Sequence, residues 1–167
     1  MFGRKKQRIK DQGWLLLQDC SEIITVYSEE LSIKEELDED PATTLRGVFV
    51  IVGLCSYYVA GLNHADAATE MVNYYTDMVG RYPEDVNPDR ISVVEAGNII
   101  NKDYQNARKI SDNCMSQGIT DVSLIIEKHV DYLFDTINIE PSQGDKDTMK
   151  DYLEVFYNET RRKYYGV

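Results

Sequence analysis

The run Asp85-Val86-Asn87-Pro88-Asp89, followed by Glu95, is the stretch of this 167-residue chain whose residue types are best suited to chemistry. Side-chain oxygens at alternate positions can converge on a hard divalent cation. Asp85, Asn87, Asp89 and Glu95 therefore form a candidate site for Ca²⁺ or Mg²⁺. Without a cation, the same residues make an acidic proline turn whose carboxylates favour the start of the next helix. The two histidines, His64 and His129, each have a carboxylate two positions on, at Asp66 and Asp131. Helical residues two apart diverge, so neither pair holds a metal by itself. Cys20, Cys55 and Cys114 are odd in number, widely spaced and placed on apolar stripes, which suits packing thiols better than a disulfide framework or a zinc site.

The acidic loop resembles part of an EF-hand, with oxygens at positions 1, 3 and 5. Position 6 is Arg90 where that loop needs glycine, position 12 is Ala96, and Glu95 arrives one residue early. Glu35-Glu36-x-x-Glu39 resembles the E-E-x-x-E pattern of all-helical nucleotide pyrophosphohydrolases of the MazG type, in which acids on one helix hold magnesium. The second E-x-x-D pair of that family is missing, since Glu70 is followed by Asn73 and Glu127 by Val130. There is no glycine-rich phosphate loop and no G-x-S-x-G element. The expectation leans away from an enzyme.

Charge is distributed unevenly. The net charge is −11, yet residues 1–10 hold Arg4, Lys5, Lys6, Arg8 and Lys10 with no acid. Setting those five aside with Arg161, Arg162 and Lys163 leaves ten basic residues against all 29 acids, so the remaining body stands near −19. Such a body repels nucleic acid and favours basic partners, while the basic segment could touch phosphates or an anionic membrane surface. No apolar signal-peptide run follows the basic start, and a reducing cytoplasm is the expected compartment.

The elements that must position these groups are helices. Val48 to Leu62 is uncharged and mostly apolar. At 17 residues, the uncharged run Gly47 to Asn63 sits at the lower limit for a bilayer, so it is expected to be a buried central helix and not a transmembrane span. Apolar residues recur at three- and four-residue steps from Gln12 to about Glu39, from Ala65 to Met78, from Val93 to Cys114, from Val122 to Ile137 and from Met149 to Thr160. Lys34 to Asp40, almost all charge, is expected to project or fray. Ser92-x-x-Glu95 has capping-box spacing, Gly118 is placed to end that helix, and Asp147-Thr148 is expected to cap the last one. Gly53, Ser56 and Ala60 make a smooth strip for one close helix crossing. The expected fold is all-α: a single-domain bundle of five to six antiparallel helices over residues 12–165, with residues 1–11 as a basic N-terminal arm.

Twelve tyrosines are the oddity of composition. The pairs Tyr57-Tyr58, Tyr74-Tyr75 and Tyr164-Tyr165 are candidate contact residues, because tyrosine joins large apolar area to a polar tip. They could equally fill boundary positions of the bundle. The expected function is a non-enzymatic protein–protein interaction module that binds a protein partner or a second copy of itself. The alternatives are cation binding by the Asp85 to Glu95 loop, or membrane or nucleic-acid contact through the basic segment.

Overall fold

A computed structural model describes residues 2–61, 65–81 and 91–166. The secondary structure of those residues is entirely helical, in seven helices: α1 (Phe2–Glu29), α2 (Lys34–Glu39), α3 (Pro41–Gly61), α4 (Ala65–Arg81), α5 (Val93–Ser116), α6 (Val122–Ile137) and α7 (Gln143–Tyr165).

The apolar stretch is the shared core. Phe49, Val50, Ile51, Val52, Leu54, Cys55 and Val59 have no solvent exposure. Helix α3 packs against α1, α2, α4, α5 and α6. It is apolar all round and so can be covered on every side, at roughly 1.5–3 kcal/mol for each fully buried Val, Leu, Ile or Phe. By length and composition Pro41–Val59 could cross a membrane, but 72% of that window is covered by the other helices.

The predicted close crossing is present at Gly53. A Cβ there would stand 3.0 Å from the Asp103 Cβ and 3.0 Å from the Tyr104 backbone nitrogen, so α3 and α5 meet with no room for a side chain. Gly53→Leu is expected to lower stability by about 1–3 kcal/mol through overpacking. In a thermal melt that is a fall of roughly 2–4 °C per kcal/mol. A variant that melts like the parent would contradict the crossing.

Several expectations need correction. The basic residues 4–10 lie in the first turns of α1, which begins at Phe2. Helix α1 stops at Glu29, and the charged segment after it does not project. The chain bends back into the short α2, burying Leu31, Ile33 and Leu37. Helix α4 packs alongside α3. Neighbours are not all antiparallel: Gly13 lies against Ala67 and Glu70, and the Trp14 ring against Tyr74, so α1 and α4 run the same way.

Caps place the ends. Ser92 Oγ accepts the Glu95 N–H at 3.1 Å, the serine half of the predicted box. Gly118, at φ +75°, closes α5 with Gly118 N–H to Met115 O (3.0 Å) and Ile119 N–H to Cys114 O (2.9 Å), the paired bonds of a Schellman ending. Asp121 caps α6 by accepting the Ser123 N–H at 2.9 Å. Helix α7 is capped by Ser142 and Asp145, and not by Asp147-Thr148. The buried Asp145 carboxylate accepts Ser142 N–H (2.9 Å), Ser142 Oγ (2.6 Å), Ser32 N–H (2.6 Å) and Ser32 Oγ (2.6 Å), which ties the α1–α2 bend to the start of α7.

Candidate functional site

Helices α1 and α7 lie side by side in opposite directions. Ser32 meets Asp145, Glu30 meets Tyr152 (3.4 Å) and Asp19 meets Lys163 (2.7 Å). Between them runs a groove made of two adjoining cavities of about 130 Å³ and about 540 Å³. Its floor is Ile23, Tyr152, Val155 and Phe156, and its walls carry Asp19, Glu22, Asp151 and Glu159. Val155 is 53% exposed, an apolar side chain left open among acids.

Local sequence explains the arrangement. On α1, Ile23 turns inward while Asp19 and Glu22, three residues apart, stand on the outer rim of the same stripe. On α7, Asp151, Val155 and Glu159 make one exposed row at four-residue steps, with Phe156 buried behind them. One end of the groove is positive: Lys163 Nζ donates to both oxygens of Asp19 (2.7 and 3.0 Å), and Arg162 lines the same cavity. The hydrogen bond to Asp19 holds the Lys163 ammonium above its ordinary pKa against the opposing effect of burial, so it is charged at neutral pH. Glu22, Asp151 and Glu159 make no ion pair among the described residues.

The candidates read from the sequence fall elsewhere. Asp85, Asn87, Asp89 and His64 lie outside the described residues, while Glu95 is exposed in the first turn of α5. Among the described residues no group of three or more His, Cys, Asp or Glu is placed to hold a metal. Glu35, Glu36 and Glu39 are exposed on the six-residue α2. His129 is fully buried, with Nε2 3.0 Å from Ser111 Oγ, and packs against the Tyr57 and Tyr58 rings at 5.7 and 5.6 Å. Burial pushes its pKa down to about 4, so it is neutral at pH 7. All three cysteines are buried free thiols.

Tyrosines line the interior more than the surface. Tyr58 and Tyr75 are buried; Tyr57, Tyr74 and Tyr164 are half-buried. The side chain of Tyr165 is outside the described set. Tyr58 also meets the Tyr157 ring at 5.8 Å, and burial holds its phenol protonated. Tyr58 and Tyr75 therefore cannot present a contact face, and Tyr57 is turned toward His129. The acidic groove was not anticipated, although the row Asp151, Val155, Glu159 is visible in the sequence as an apolar residue set between acids on a polar helix face.

The chain matches no protein-family model, no curated protein and no solved structure.

Proposed function

We propose that this protein is a non-enzymatic interaction module that receives a cationic, amphipathic helical segment of a protein partner in the groove between α1 and α7. We read the six long helices as one up-and-down bundle with α3 as its core, which leaves that groove as a rigid cradle. The observation that carries the proposal is Val155, exposed on an apolar floor between Asp151, Glu159, Glu22 and Asp19. A helix laid in such a groove would bury its apolar row on Val155, Tyr152 and Phe156 and set lysines or arginines against both walls. Charge complementarity would also set orientation and speed association. The free buried thiols suit a reducing compartment, and cytoplasmic localisation belongs to the same proposal.

The test is fluorescence anisotropy with a labelled Lys/Leu amphipathic helical peptide and its Glu/Leu counterpart. Saturable binding of the basic peptide alone is expected, weakening as salt rises. Asp151→Lys with Glu159→Lys should weaken it at least tenfold, about 1.4 kcal/mol. Equal binding of the acidic peptide, or an unaffected double variant, would refute the proposal.

A further inference from the structure

The groove and the start of α1 break opposite electrostatic rules. A helix N-terminus carries a partial positive charge and favours acids. The first turn of α1 has none, and Arg4, Lys5, Lys6 and Arg8 stand exposed in its first two turns. None of them forms an ion pair among the described residues. Lys5 and Lys6 border a cavity of about 440 Å³ with Asp66 and Glu70 of the same chain. Arg4 and Arg8, four residues apart, make a separate exposed row. The groove carries the reverse fault, because Glu22, Asp151 and Glu159 crowd a cleft whose cations, Arg162 and Lys163, stand at one end and form no ion pair with those three acids among the described residues. Departures from local electrostatic rules concentrate at functional surfaces. The two faults also have opposite sign.

They cannot cancel within one molecule. Arg4 and Asp19 are separated by about 22 Å along the rigid axis of α1 at 1.5 Å per residue. That is more than two Debye lengths at physiological salt.

Resting on the interaction reading above, we infer that the groove's partner is a second copy of this chain, whose α1 start, led by Arg4 and Arg8, seats between the acids of α1 and α7. The two surfaces are different patches of one molecule, so the contact is head-to-tail. Head-to-tail contacts propagate into rings or open chains and do not stop at a two-fold dimer. The assembly is driven by charge and dissolves with salt.

Sedimentation velocity with paired variants tests this. The parent should self-associate at low salt and return to monomer as salt is raised. Arg4→Glu with Arg8→Glu removes the inserting row, and Asp151→Lys with Glu159→Lys removes the groove acids. Each double variant alone should sediment as a monomer. Mixed, they should form a one-to-one pair and nothing larger, because one supplies an intact groove and the other an intact α1 start. Pairing on mixing also shows that both variants are folded. A parent that stays monomeric at low salt, an Arg4/Arg8 variant that still self-associates, or a mixture that stays monomeric would each overturn the inference. If the groove still captures the basic peptide in that event, only the identity of the partner fails. If it does not, the groove reading fails with it. Loss of retention on phosphatidylserine vesicles or RNA by the Arg4/Arg8 variant, with no self-association of the parent, would assign those cations to a membrane or a nucleic acid instead.

Discussion

Gly47→Ala is expected to destabilise the protein by about 3 kcal/mol or more, a fall in Tm of roughly 10 °C. In isolation the change would favour the helix by nearly 1 kcal/mol, since alanine is the better helix former. Packing reverses that. Gly47 of α3 lies directly against the phenol of Tyr27 on α1, and an added methyl would occupy the space of its Oη and Cζ. Tyr27 has no exposure, so either its ring is displaced within the core or α1 and α3 separate. Its hydroxyl is buried without a hydrogen-bond partner among the described residues, and burial holds it protonated. Tyr27→Phe should therefore be neutral or stabilising by up to about 1 kcal/mol, because an unpaired buried donor is a cost. Gly47→Ala with Tyr27→Ala should recover part of the loss, the new methyl entering the space vacated by the ring. Thermal melts of the three variants check the account. A Gly47→Ala protein that melts within about 2 °C of the parent would show that α1 and α3 are not in contact here.

Asp145→Ala should cost about 3 kcal/mol in guanidinium unfolding, combining a lost helix cap of about 1 kcal/mol with lost charge-assisted hydrogen bonds to Ser32. Those bonds reach across 113 residues of sequence, so their loss frees the bend that buries Leu31, Ile33 and Leu37. Ser32→Ala alone should cost about 1 kcal/mol, and a double-mutant cycle should show coupling between the two positions. The pH dependence follows from the same groups. Burial works against the charged form of Asp145, but the hydrogen bonds from Ser142 and Ser32 outweigh it and hold its pKa below 3.8. Its contribution is therefore complete above pH 3.8 and is lost as pH falls further. His129 acts earlier. With a pKa lowered from 6.5 to about 4, it stays neutral in the folded protein while the unfolded chain takes up a proton. Stability should thus decline between pH 6.5 and about 4, and Asp145→Asn should remove only the loss that follows below pH 3.8. A profile flat across the upper window would show that His129 is not buried neutral.

What could be read directly from the residues was whatever a single segment states by itself. Val48 to Val59 announced a core helix because it is apolar on every side, and Gly53 announced a close crossing because a small residue on such a helix removes the only spacer. The break after Glu29 was not legible. Leu31 and Leu37 continue a plausible helical spacing, and the bend that ends α1 is held by Asp145 far along the chain. Ser142-x-x-Asp145 was legible in principle, but aspartate in place of glutamate hides the reciprocal cap. For Tyr57-Tyr58 and Tyr74-Tyr75 the pairing carried its own answer, since successive helical residues point about 100° apart and, on a helix packed along one side, the inward one is buried. Tyr58 and Tyr75 are those residues. The groove needed the fold, because its walls come from two helices at opposite ends of the sequence.

Backbone amide chemical shifts, followed while the basic amphipathic peptide is titrated into the protein, test the central claim most directly. The account predicts shifts confined to residues 18–23 of α1 and 151–163 of α7, absent in the Asp151→Lys, Glu159→Lys protein. Shifts centred on the first turn of α5 around Glu95, or spread evenly over the acidic surface, would contradict it.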